Sequence, residues 1–378
     1  MTPGNAVLIY TDDFLHYDWS PQHPLRPERL RRTVDCLRAY DLVSDANLRA
    51  PQPATDEDLR LCHSDEYIAV VKALGGGQPV PGMERFGFTP AGVVGDNPVF
   101  PRMYEAMALI AGGSLLAADL ALADPCCIPF NIGGGLHHAH RDRASGFCVF
   151  DDPALAIAHI RRRHPDWRIA YIDIDAHHGD GVQEMFYDSA QVLTVSLHQS
   201  GRTLYPGTGE VRDCGEGAGV GYAVNVPLWP GTDDETYHFA FDAVVPPILG
   251  AFRPDLVVAQ LGCDTHFDDP LTMLHLTVQG YAAAVARIVA LAPRLVALGG
   301  GGYAATTVPR AWTLAFAALA GRMLDDELPP AAAEMLGMTT LRDAAAPPLP
   351  AEQRAHARVW AEEVVIAIRE HIFPVHGL

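Results

Sequence analysis

Asp175-Ala176-His177-His178-Gly179-Asp180 follows directly on the apolar run Ile169-Ala170-Tyr171-Ile172-Asp173-Ile174. Carboxylates and imidazoles are thus packed at the end of a buried strand, where an open α/β sheet keeps its chemistry. Period-2 alternation puts Asp175 and His177 on one side of the chain, able to grip one ion. Asp264 ends a second apolar run, Leu256-Val257-Val258-Ala259-Gln260-Leu261-Gly262-Cys263, and completes a set of two carboxylates and one imidazole. Two oxygens and a nitrogen, with a position left for water, suit catalytic zinc or iron(II) better than a closed structural site. Helix capping would account for one Asp but not for the whole Asp-x-His-His-x-Asp run. The set reads as the metal centre of a hydrolase.

A second cluster, Gly133-Gly134-Gly135-Leu136-His137-His138, lies upstream. Glycines allow a sharp turn and a close backbone approach. Tandem imidazoles are poor core residues and good acid/base groups, above all when carboxylates hold the second nitrogen of each ring. Asp173 and Asp180 are the natural partners. His140, His164, His238, His356 and His376 lack such context and read as surface residues. Gly299-Gly300-Gly301-Gly302-Tyr303-Ala304 satisfies G-x-G-x-x-A after a strand, but no acidic residue ends a second strand about 20 residues on. A glycine turn that brings the Tyr303 hydroxyl towards the metal explains the same residues. The chain has neither a P-loop nor a G-x-S-x-G elbow.

These groups need a scaffold. Short runs rich in Val and Ile near 6–10, 126–131, 168–174, 192–197, 256–262 and 294–298 alternate with segments of helical spacing, the pattern of βα units around a mostly parallel sheet flanked by helices. Ala106 to Ala123 reads as a helix with Gly112-Gly113 as a soft point, and Ala351 to Ile372 as a closing helix stopped at Pro374. The Gly- and Pro-rich stretch from Gly75 to Pro101 reads as a long surface loop of the functional kind. Length alone would allow two or three domains, but α/β folds run long as one unit, and a single domain over 1–378 is expected.

A net charge of -19, from 27 basic and 46 acidic residues, argues against nucleic acid and favours cationic partners such as polyamines or lysine-rich proteins. Seven cysteines without C-x-x-C spacing fit reduced thiols. Met1-Thr2-Pro3-Gly4-Asn5 shows no leader-like charge or apolar region, and no uninterrupted apolar stretch reaches about 18 residues. A soluble, cytoplasmic protein without membrane contact is expected; its oligomeric state is left open.

Gly134-Gly135-Leu136-His137-His138 with Ala144-Ser145-Gly146-Phe147-Cys148, then Tyr171 to Asp175 with His177-His178-Gly179-Asp180-Gly181-Val182, resembles the zinc-dependent histone deacetylases. So do Thr194 to His198, Tyr205-Pro206-Gly207-Thr208-Gly209, Gly262-Cys263-Asp264 and Leu298 to Tyr303. The order holds from about residue 6 to 320. Tyr10-Thr11-Asp12-Asp13-Phe14 and His23-Pro24-Leu25-Arg26-Pro27 are similar to the openings of bacterial acetoin-utilisation deacetylases.

The resemblance implies an arginase/deacetylase-like α/β fold, with a core over about 6–320 and a helical extension over about 351–373. It implies Asp175, His177 and Asp264 as zinc ligands, His137 and His138 as acid/base groups backed by Asp173 and Asp180, and Tyr303 as the carbonyl-polarising hydroxyl. Asp96 would hold substrate amides at the rim, with Gly146, Phe147, Tyr205 and Leu271 lining an acyl-lysine channel; Tyr205 stands where many members have Phe. Structural potassium would lie at Asp173, Ser196 and Leu197, and a second ion at Phe186, Ser189, Val192 and Tyr222. The activity so implied is deacetylation of lysine in proteins. Acetylpolyamine hydrolysis is the alternative, and a two-metal ureohydrolase, echoed by Asp268, a further one.

Overall fold

The computed structural model describes residues 5–17, 19–20 and 22–378; residues 1–4, on which most of the leader reading rests, lie outside the described residues. Among the described residues there are eight strands: β1 (Asn5–Ile9), β2 (Leu48–Arg49), β3 (Cys127–Asn131), β4 (Ile169–Asp173), β5 (Val192–Gln199), β6 (Ala223–Leu228), β7 (Leu256–Gln260) and β8 (Leu295–Leu298). They form one sheet in the order β2-β1-β3-β8-β7-β4-β5-β6, and every pairing is parallel. The helices are α1 (Glu28–Ala39), α2 (Asp56–Leu59), α3 (Asp65–Gly75), α4 (Met103–Ala123), α5 (Asp152–Arg163), α6 (Asp180–Met185), α7 (Asp234–Phe252), α8 (Val278–Leu291), α9 (Thr307–Leu319), α10 (Pro330–Leu336) and α11 (Ala351–His371).

Continuous apolar runs are what a sheet covered on both faces requires. Alternate residues feed separate cores: Ile169, Tyr171, Leu256 and Val258 pack with α4 and α5, whereas Ala170, Ile172, Val257 and Ala259 pack on the side of α7, α8 and α9. Asn131, Leu298, Gln260, Asp173 and Ser196 are consecutive partners across β3, β8, β7, β4 and β5. The loops after those strands therefore leave the sheet at one level, and that shared level positions the chemistry.

α4 starts one turn earlier than expected and runs unbroken through Gly112-Gly113. A Cβ at Gly112 would lie 1.8 Å from the Gln52 carbonyl oxygen. The glycine thus marks a close approach, not a soft point. α4 is long and apolar enough to cross a membrane, and here it is mostly buried. The segment 75–101 is largely irregular, yet it buries Phe86, Phe88 and Phe100. α11 covers edge strand β6, with Trp360 Nε1 donating to the Pro227 carbonyl oxygen at 2.8 Å.

Buried Arg310 reaches Asp343 at 2.7 Å, and the other oxygen of Asp343 is 3.0 Å from His266 Nε2 and accepts from Val278 N at 2.8 Å. These contacts tie the loop after β7 to the C-terminal segment. Removing one partner leaves a buried charge uncompensated. Arg310→Ala should therefore lower stability by about 3 kcal/mol, read as a drop in the denaturant midpoint; an unchanged midpoint would refute it.

Candidate metal centre and active site

β4 ends at Asp173, so Asp175 and His177 sit in the turn before α6 and not on the strand. Strand alternation therefore does not align them. The turn does, with Asp175 N donating to Asp173 Oδ1 at 3.0 Å and His177 N to Asp175 Oδ1 at 2.9 Å. His177 Nδ1 lies 2.8 Å from Asp264 Oδ2 and 3.1 Å from Asp175 Oδ1. Asp175 Oδ2 accepts from Gly301 N and from Gln260 Nε2, both at 2.7 Å, and Asp264 Oδ1 accepts from Ala176 N at 2.7 Å. These outer partners fix the direction of each carboxylate. Gly262 makes room for the set, since a Cβ there would lie 2.0 Å from Asp175 Oδ2.

All three groups are buried, and their donor atoms fall within 4.8 Å of one another. Burial opposes charge on each. His137 and His177 nonetheless hold Asp175 well below the usual range, whereas burial and Asp175 push Asp264 up to about 7. Against its own burial, His177 is raised to about 10 by Asp264 and Asp175. Two carboxylates converging on one imidazole nitrogen fit a divalent cation. Asp268 is exposed, and among the described residues no second cluster of metal-ligating acidic, His or Cys side chains accompanies this one.

His137 Nδ1 is 2.7 Å from Asp173 Oδ2, and His138 Nδ1 is 2.6 Å from Asp180 Oδ1, with the two rings 4.1 Å apart. Each carboxylate can accept from Nδ1–H, which fixes the orientation of the ring. Burial disfavours charge on both rings. Asp173 and Asp175 overcome it at His137, which rises to about 9, while burial and the neighbouring His137 take His138 down to about 4. A neutral ring thus sits beside a charged one. Asp180 opens α6 without capping it; its oxygens serve His138 and His140. Contrary to the surface reading, His140 is buried: its own loop folds the ring inward against these carboxylates.

Tyr303 lies edge-on to His177, with ring centroids 6.4 Å apart, and its N–H donates to Asp269 Oδ2 at 2.8 Å. Burial, with Asp264 and Asp175, pushes its phenol well above 10, which keeps the hydroxyl a donor. Phe147 packs edge-on to Tyr303, and the Tyr17 hydroxyl donates to the Phe147 carbonyl. Gly146 lies against the His138 ring, and Tyr205 meets that ring edge-on at 5.2 Å. Leu271 is exposed, its N–H donating to Asp269 Oδ1 at 3.0 Å. Asp96 is exposed, and its carbonyl oxygen is 3.2 Å from His23 Nε2.

Asp173 and Ser196 are register partners, with Leu197 next along β5. Phe186, Ser189 and Val192 follow one another into β5, and the Tyr222 carbonyl oxygen accepts from Thr194 N at 2.9 Å. Sequence reasoning missed Gln260, Asp269 and His140. Gln260, a polar residue in an otherwise apolar strand, was the available signal for one of them.

A family model described as the histone deacetylase domain matches residues 23–319. The chain is 39% identical over 333 residues to the acetoin utilization protein AcuC of Bacillus subtilis, covering 86% of this chain and 85% of that one. It is 40% identical over 325 residues to the histone deacetylase clr6 of Schizosaccharomyces pombe, covering 85% and 78%. The crystal structure of a histone deacetylase homolog complexed with SAHA superposes with a TM-score of 0.87 at 32% identity, covering 95% of this chain and 99% of the other. A homolog from Aquifex aeolicus gives 0.85, with the same identity and coverage. The chain belongs to the histone deacetylase family and is a deacetylase, a metal-dependent hydrolase of the kind for which zinc is characteristic.

Proposed function

We propose that the protein removes the acetyl group from N-acetylated lysine in proteins, releasing acetate and the free amine. The observation that carries this reading is the pair of buried His–Asp couples, His137–Asp173 and His138–Asp180, set beside the converging Asp175, His177 and Asp264. Those three residues would hold zinc, with iron(II) as the second choice. Bound there, such an ion polarises the amide carbonyl and acidifies water.

His138, neutral and held at Nδ1 by Asp180, takes the water's proton on Nε2. As water adds and the C–N bond breaks, His138 or His137 returns a proton to the leaving amine. Tyr303 donates to the amide oxygen as charge develops, a contribution of about 3 kcal/mol. Gly146, Phe147, Tyr205 and Leu271 would line the lysine's path. Asp173, Ser196 and Leu197 would hold one potassium ion, and Phe186, Ser189, Val192 and Tyr222 another. We place the protein in the cytoplasm, in keeping with its free thiols.

The net charge of -19 favours a second reading, hydrolysis of acetylated polyamines. Exposed Asp96 separates the two. Its carboxylate can accept from consecutive peptide N–H groups, contacts worth roughly 1.5 to 3 kcal/mol. Asp96→Ala should therefore lower kcat/KM for acetyl-lysine peptides by about one to two decades and for a small acetylated diamine much less. Equal losses would assign Asp96 to the turn before Asn97-Pro98, and a selective loss on the diamine would favour polyamine chemistry. A panel of acetylated peptides and diamines, run with metal analysis, tests the reading as a whole.

A further inference from the structure

Buried His140 takes no direct part in that proton transfer. We infer that His140 is a positioning residue for the deacetylation, holding the Asp180 carboxylate on which His138 depends; the inference rests on the assignment of His138 to proton transfer. Asp180 stands between two imidazoles, with Oδ1 2.6 Å from His138 Nδ1 and Oδ2 3.5 Å from His140 Nε2. On its other side His140 Nδ1 is 2.6 Å from Glu184 Oε2. Asp180 and Glu184 are four apart on α6, so one helix face presents both carboxylates to the same ring. A chain of groups thus runs from His138 through Asp180 and His140 to Glu184. The Glu184 side chain is 60% exposed and borders, with His140 and Arg143, a cavity of about 500 Å³.

The charged groups around His140 set its protonation. Asp180 and Glu184 face it from α6, Asp151 from the start of α5, and Arg143 and His138 from its own loop, while His178 lines the same cavity and His63 Nδ1 lies 3.0 Å from its carbonyl oxygen. Burial opposes the imidazolium, but Asp180 and Glu184 outweigh it and raise His140 to about 9. When protonated, the ring donates from Nδ1 to Glu184 at 2.6 Å and forms an ion pair through Nε2 with Asp180 Oδ2 at 3.5 Å. Once Nε2 loses its proton it becomes an acceptor for Arg143 Nη2, 2.9 Å away, and the ion pair with Asp180 is lost. Protonated His140 thus adds a second anchor to the Asp180 carboxylate, beside the His138 contact, and neutral His140 removes it.

The test compares kcat, KM, their pH dependence and thermal melting in full-length His140→Gln, His140→Lys, Glu184→Gln and His138→Ala. His140→Gln should lower kcat by about tenfold with KM within about twofold, as expected of an outer partner that orients a working imidazole. It should also lack the fall in kcat that the parent protein is expected to show above about pH 9. His140→Lys keeps a cation and should restore most of kcat. Glu184→Gln alters only the exposed partner, so the fold is retained even if changes at His140 disturb it; it should move the alkaline limb to lower pH. Parental kcat and an unmoved limb in His140→Gln and Glu184→Gln, with His138→Ala inactive, would overturn the inference. Turnover retained in His138→Ala would instead overturn the assignment of the base, and the inference with it.

Discussion

Alanine at His177 or Asp264 should abolish metal binding and turnover together. Among the described residues three side chains converge here, so losing one removes a third of those donors and the geometry that the other two share. The loss of activity should exceed the ~10- to 100-fold typical of an outer partner such as Gln260. Loss of fold is the competing explanation, and a change at Asp264 can exclude it. Burial and Asp175 already push Asp264 up, so its charge is costly when no cation is bound. Asp264→Asn keeps the shape and removes that charge. The metal-free variant should then melt no lower than the metal-free parent while failing to take up zinc. Elemental analysis and melting curves on the same samples read both quantities. Full metal content with near-normal turnover in either alanine variant would sink the ligand assignment.

How far the sequence could be read depended on the range of the interaction. β4, β7 and β8 were legible because a strand buried on both faces must be apolar throughout, and the ends of those runs pointed to Asp175, Asp264 and Tyr303. β6 was not, because Asn225 and Pro227 interrupt Ala223–Leu228. An edge strand tolerates that proline, and edge position is a property of the whole sheet. The turn geometry of Asp175 and His177 was also hidden, since it depends on Asp173 Oδ1 and on contacts from the last residue of β7 and the loop after β8. His140 was misread for a related reason. Charged neighbours Arg141, Asp142 and Arg143 gave it a surface context, whereas Asp180 and Glu184, about 40 residues away, bury and charge it.

Tyr303→Phe should leave metal content and fold intact and lower kcat by about two to three decades. The substitution removes one oxygen. The ring contacts with His177 and Phe147 and the backbone donation to Asp269 do not involve that atom and are retained. What disappears is a donor that the buried environment keeps protonated at every working pH. A donor aimed at charge that develops only during reaction stabilises the transition state more than the bound substrate. KM should therefore change little while kcat and kcat/KM fall together. A general weakening of substrate binding predicts the opposite split, with KM rising and kcat preserved. Rate measurements at saturating and at low acetyl-lysine peptide, with zinc occupancy confirmed, distinguish the two, and a near-parental kcat would move the oxyanion role to another group.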